Sequence, residues 1–92
     1  LALIPYAALE AIARVREFGN RKYQDPSKWY QHDDMLPQFV EAAQRHLAKY
    51  QDAVMYGNRS VDDEESGLSH LDHAICTLAL AIALRDKPKG DK

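Results

Sequence analysis

The chain has 92 residues, of which 46% are hydrophobic and 28% charged, the balance of one small globular domain rather than of two domains or a disordered segment. Lys and Arg total 12 against 14 Asp and Glu, for a formal net charge of -2. That balance argues against a broad electrostatic grip on nucleic acid, and no stable nucleic acid complex is expected.

The opening Leu1-Ala2-Leu3-Ile4 has no basic lead and is cut by Pro5, so it does not read as a signal peptide. The missing initial Met leads to the expectation that the chain begins inside a longer sequence or was processed. A first helix is expected over about Tyr6 to Tyr23. Pro5 suits its start, and Ala8, Leu9, Ile12, Ala13, Val15 and Phe18 supply the helical period. Asp25-Pro26-Ser27 is a turn signal, and Trp29 and Tyr30 fall in the connector behind it. A second helix is expected from Leu36 or Pro37, capped by Asp33 or Asp34. Leu36, Val40, Ala43, Leu47, Tyr50 and Val54 form its apolar stripe, and Gly57-Asn58 ends it. Residues 57–67 read as a polar connector with four acids in a row, Asp62 to Glu65.

The third helix is expected from about Ser69 to Arg85, capped by Ser66 or Ser69. Leu71, Ile75, Leu78 and Ile82 make one face, while Leu68, Ala74, Leu80, Ala81 and Leu84 extend the apolar surface almost around the rod. Such a helix belongs at the centre of a bundle. Three short helices offer little to surround it, so a homo-oligomer, at least a dimer, is expected. The lone Cys76 sits in this run and reads as a buried thiol suited to a reducing compartment. The run from Ala74 to Leu84 is shorter than the roughly 20 residues a membrane helix needs, so no membrane partner is expected. The fold class is therefore all-α: three main helices over residues 1–85, then a polar tail over 86–92 expected to be disordered.

The chemistry-bearing residues concentrate on the second and third helices. His70 and His73 are three apart and share a face, with Thr77 one turn on. They align either with His46 or with the acids preceding the helix, or else they are hydrogen-bonded core histidines. His and carboxylate together bind several divalent metals. Glu41 and Arg45 are four apart, an ordinary surface pair unless Arg45 grips a phosphate. Lys22 offers a second positive contact or faces solvent. Carboxylates that hold a divalent cation, beside cations that offset phosphate charge, suit hydrolysis of a phosphate ester or anhydride. A glycine-rich phosphate loop, zinc-finger cysteine spacing and a serine-nucleophile motif are all absent.

The sequence resembles the N-terminal domain family of phage and bacterial dATP/dGTP diphosphohydrolases, a small all-helical family similar to the MazG-like nucleotide pyrophosphohydrolases. The resemblance begins at Leu3-Ile4-Pro5 and Ala8-Leu9-Glu10. It continues through Phe18-Gly19, Lys22-Tyr23, Asp25-Pro26 and Trp29, then Glu41-Ala42-Ala43 and Arg45-His46-Leu47. Its strongest block is Glu64-Glu65-Ser66-Gly67-Leu68-Ser69-His70-Leu71, followed by His73-Ala74. The sequence departs from the family pattern at Asn58, after Gly57, and at Thr77, where Asn is common. MazG-like relatives also build their metal centre from two acidic motifs, where the third helix here carries His70 and His73.

The resemblance implies a MazG-like oligomeric bundle. It implies hydrolysis of a purine deoxynucleoside triphosphate, dATP or dGTP, to monophosphate and pyrophosphate with Mg2+, replaceable by Mn2+. It places Glu41, Glu65, His70 and His73 around the metal and phosphate. Glu41 or Glu65 would accept the proton of water, and His46 would orient a carboxylate or contact phosphate. Arg45 and Lys22 become phosphate binders, and Trp29 or Tyr23 stacks on the base. A phage origin and a cytoplasmic location, that of the host, follow from the same resemblance. The alternatives are a helical module that binds nucleotide or metal without catalysis, and a structural oligomerisation domain.

Overall fold

The computed structural model describes residues 3–22, 28–32, 34–57 and 59–88. Three α-helices account for most of them: α1 at Tyr6–Lys22, α2 at Met35–Tyr56 and α3 at His70–Arg85. A 3₁₀ turn at Lys28–Gln31 lies between α1 and α2. Among the described residues no strand forms, only an isolated antiparallel bridge between Asp62 and Ser69. The fold class is all-α, as expected from the sequence. Among the described residues no helix is long and apolar enough to cross a membrane.

Local chemistry sets the helix ends. The backbone N–H of Ala8 donates to the carbonyl of Pro5 (3.0 Å), which starts α1 beside a residue whose φ is already helical. Asp34 occupies the N-cap of α2 without a side-chain bond. Asp33, Asn58 and the 25–27 turn lie outside the described residues. Gly57 adopts the left-handed conformation at φ 65°, and its N–H donates to the carbonyl of Ala53, the expected glycine stop. Of the two candidate serines, Ser69 caps α3 by accepting from the N–H of Leu71. Asp72 in the first turn and Arg85 in the last both suit the helix dipole.

α3 packs against both α1 and α2, whereas those two scarcely meet. The contacts run through small side chains: Ala11 on α1, Ala43 and Ala53 on α2, and Ala74, Cys76 and Ala81 on α3 are buried, with Leu84 below them. Small residues at the seams let helix axes approach closely. The larger apolar residues are divided. On α2, Leu36, Ala43 and Tyr50 turn inward, while Val40, Leu47 and Val54, interleaved with them, are exposed. On α3, Leu71, Leu78 and Ile82 are likewise exposed. Ala11, outside the expected α1 stripe, is the buried residue of that helix, while Leu9 is exposed. Past α3, Lys87 reaches back, donating to the carbonyl of Tyr30 (2.8 Å) with its ammonium 5.2 Å from the Tyr30 ring centre; residues 89–92 lie outside the described part.

Candidate functional site

The polar residues collect where α2 passes the loop that leads into α3. This loop, residues 59–69, is tightly bonded. The N–H of His70 donates to the carbonyl of Val61 (2.8 Å), that of Asp63 to Leu68 (2.8 Å), and that of Gly67 to Asp63 (2.8 Å). The last turn requires the positive φ of Gly67, 73°. One carboxylate oxygen of Asp63, Oδ1, accepts from the backbone N–H of Glu65 (2.9 Å) and of Ser66 (3.0 Å). The Ser66 hydroxyl in turn accepts from the N–H of Leu68 and lies 2.6 Å from Nε2 of His73.

Three histidines meet against this loop. His46 of α2 and His70 of α3 bring their Nδ1 atoms to 2.8 Å, so one ring donates and the other accepts. His46 also stacks on His73 with ring centres 4.8 Å apart and planes 14° from parallel. Phe18 of α1 closes the cluster edge-on to His73 at 6.4 Å. His70 is only 6% exposed, the one buried ionisable side chain among the described residues apart from Cys76.

Crowding disfavours positive charge here. Burial, then the charges of His73 and His70, push the His46 pKa down to about 4, against an opposing pull from Asp63. Burial also lowers that of His73, with Asp63 opposing. For Asp63, burial acts to raise the pKa. The backbone donors of Ser66 and Glu65 and the nearby His73 and His46 outweigh it, so the carboxyl lies below its ordinary value. Burial raises the Cys76 thiol, which leaves it a packing residue rather than a nucleophile.

A cleft of about 440 Å3 opens beside the cluster between α1, α2 and α3. Lys22, Arg45, Lys49, Asp63, Glu65 and His73 supply its charged and polar lining, and Phe18 and Phe39 supply apolar walls. A second cavity of about 460 Å3 adjoins the same loop, against Arg59, Asp62 and His70. Lys49, Asp63 and Glu65 border both. Lys22 Nζ sits 2.8 Å from both carboxylate oxygens of Glu65, joining the end of α1 to the loop. Arg45 donates to Glu41 at 2.6 Å along α2.

The residues singled out from sequence are thus only partly gathered. Lys22, Arg45, His46, Glu65 and His73 line one cleft, and His70 backs it through His46. Glu41 is exposed on α2 and does not contribute to the lining. Trp29 stands in an aromatic group with Tyr30 (5.4 Å) and Phe39 (5.8 Å), under the Arg16 guanidinium at 5.7 Å. Its buried indole N–H has no hydrogen-bond partner among the described residues. Tyr23 lies outside the described residues. Thr77 lines the cleft, but its hydroxyl donates to the carbonyl of His73 (2.7 Å).

Among the described residues, the one group whose ligand atoms lie close enough to share an ion is His46, Asp63 and His70, all within 4.8 Å of one another. In sequence Asp63 stands only as one of the four acids, Asp62 to Glu65, offered as partners for the histidines. Its signal is the spacing Asp63-Glu64-Glu65-Ser66, in which the first side chain caps the turn two and three residues on.

Comparison with known proteins returns no match among curated proteins and none among solved structures. A family model described as dATP/dGTP diphosphohydrolase, N-terminal, matches residues 1–92, and the chain belongs to that family.

Proposed function

We propose that this domain hydrolyses a purine deoxynucleoside triphosphate, dATP or dGTP, to the monophosphate and pyrophosphate, with Mg2+ or Mn2+ as cofactor. The observation that carries the reading is the lining of the cleft between α1, α2 and α3, where cations and carboxylates meet: Lys22 against Glu65, with Arg45, Lys49 and Asp63 beside them, and Arg45 paired in turn with Glu41 outside the lining. Such pairs exchange partners without leaving a charge bare. An entering triphosphate takes Lys22 and Arg45, and the released carboxylates take a divalent cation.

The donor set bears on which residues hold that cation. Mg2+ takes oxygen ligands, and Glu41 and Glu65 both offer exposed carboxylates. His70 and His73, the other two residues placed at the metal by resemblance, offer imidazole nitrogens, which Mg2+ takes less readily than oxygen. Glu65 and Glu41 therefore fit Mg2+ or Mn2+, while the imidazoles suit it poorly. When bound, the cation offsets phosphoryl charge and acidifies water.

The remaining work falls to this chain's own side chains. Glu65 accepts a proton from the attacking water. Arg45 and Lys22 hold the charge of the departing pyrophosphate. His46, neutral near pH 7 with its pKa near 4, orients neighbouring groups without repelling a metal. The base stacks on Tyr23 or Trp29, and Arg16 and Phe39, which touch Trp29, border the cleft. The active form is a homo-oligomer, at least a dimer, supported by the exposed Val40, Leu47 and Val54 on α2 and Leu71, Leu78 and Ile82 on α3.

The deciding experiment incubates the protein with dATP and dGTP separately, each with Mg2+ or Mn2+. Monophosphate plus pyrophosphate, abolished by chelator and reduced at least about 100-fold in Glu65→Ala, is expected. A folded sample without turnover under all four conditions would remove catalysis from this domain.

A further inference from the structure

We propose that His46, Asp63 and His70 form a second, distinct metal site, selective for a late first-row dication such as Co2+, Ni2+ or Zn2+ over Mg2+. The donor atoms come from three separate parts of the chain, α2, the loop and the start of α3, yet lie within 4.8 Å of one another. Two imidazoles and one carboxylate are the ligand types of transition-metal sites, whereas Mg2+ favours oxygen.

Several features show that the ligands are already held in place. Asp63 Oδ1 is fixed by two backbone donors, Glu65 and Ser66. Hydrogen-bonded support of this kind orients a ligating carboxylate. One oxygen of the Asp63 carboxylate lies within 4.8 Å of the His46 and His70 nitrogens. The loop cannot drift from α3, because the N–H of His70 is tied to Val61 and that of Asp63 to Leu68. His46 is held on its other side by the stacked ring of His73.

The Nδ1 atoms of His46 and His70 are now 2.8 Å apart, joined by a shared proton. Two nitrogens at about 2.0–2.1 Å from a tetrahedral zinc are roughly 3.3 Å apart. Opening the pair by about half an ångström, with the Asp63 carboxylate drawing in from within 4.8 Å to a like spacing, admits the ion. The ring that donates moves its proton from Nδ1 to Nε2, so both imidazoles stay neutral and both Nδ1 lone pairs face the metal. The bound ion then bridges α2, the loop and α3, where a single hydrogen bond joins His46 to His70 in its absence.

This inference does not rest on nucleotide hydrolysis, and its test uses no nucleotide. The purified domain is titrated with Co2+ and with Mg2+, and binding is followed by visible absorption and by thermal melting. One Co2+ per chain is expected, with ligand-field absorption, a raised Tm and an affinity at least 100-fold above that for Mg2+. His46→Gln and Asp63→Asn each weaken Co2+ binding at least tenfold while circular dichroism shows retained helix. His32→Gln, on an exposed histidine outside the cluster, leaves it within a factor of two. Co2+ bound no more tightly than Mg2+, or binding that survives both His46→Gln and Asp63→Asn, would overturn the site. If either variant unfolds, competition by Zn2+ for the Co2+ absorption of the native chain decides: Zn2+ that fails to displace Co2+ at one equivalent also overturns it.

Discussion

The outer faces of α2 and α3 and the loop between them are built on opposite principles. The helices carry the large apolar residues, yet leave many of them in water: Leu47 is 42% exposed and Val54 60%. The loop is polar throughout, with four acids in succession, yet it is closed by backbone bonds and by the Asp63 carboxylate. Order in this domain therefore follows hydrogen-bond satisfaction at the loop, and burial follows small-residue packing at the seams. The bulky side chains of the α2 and α3 outer rows are left in water.

The largest expected effect falls on the loop. Asp63→Ala strands two backbone donors and removes the anion facing His46 and His73. A loss of about 2–3 kcal/mol is expected, or a Tm drop of roughly 10–20 °C for a domain of this size. Glu64→Ala, one residue on and exposed, should stay within about 0.5 kcal/mol. Melts followed by circular dichroism compare the two, and equal melting temperatures would mean that the acidic run is merely solvated.

Acid should loosen the same junction. In the unfolded chain His46 takes a proton near its ordinary pKa of 6.5, while in the fold it does so only near 4. The unfolded state thus binds more protons between those values, and stability falls as pH drops through that window. The stabilisation is fully present above pH 6.5, and its loss is complete below about 4. Asp63, with its lowered pKa, adds a further loss below the ordinary carboxylate range. Discounted for the partial exposure of His46, the first step is worth about 1–2 kcal/mol. Urea midpoints at pH 7.5 and 5.0 measure it, and His46→Gln should flatten the slope. Gly67→Ala comes next, at about 1 kcal/mol. A methyl group there meets nothing within 4 Å, so the cost is that of the left-handed backbone alone, and a melt unchanged from the native chain would remove that conformation from the loop.

The helices were legible because their signals are local. Pro5, Gly57 and Ser69 act within a few residues, and each does in the fold what its type dictates. The resemblance was legible for a different reason: weak motifs in a fixed order, matched by the family model over residues 1–92. The 3₁₀ turn at Lys28–Gln31 and the bonding of residues 59–69 were not read, because they depend on contacts rather than composition. Asp63 illustrates this. In sequence it is one acid among four, and only the turn at Gly67 brings it back toward His46 and His70. The α2 stripe shows the converse limit. A period of three and four identifies the apolar residues but not which of two rows faces the neighbour, and here Ala43 is buried while Leu47, one turn on, is not.

That last ambiguity sets the smallest expected effect on the isolated chain and the most informative one. Leu47→Glu puts a charge where the side chain already meets water, so in dilute solution the stability of the fold should change by less than about 0.5 kcal/mol. If the exposed rows are where copies meet, the same charge is buried unpaired on association, and self-association should weaken by at least about 100-fold. Sedimentation velocity of the native chain and the variant, across a range of concentrations, separates the two states. A native chain that stays monomeric would leave the open faces of α2 and α3 without a second copy. A variant that still associates would move the contact away from the Val40–Leu47–Val54 row. Either way, the loop junction retains its own stability, because none of its bonds passes through Leu47.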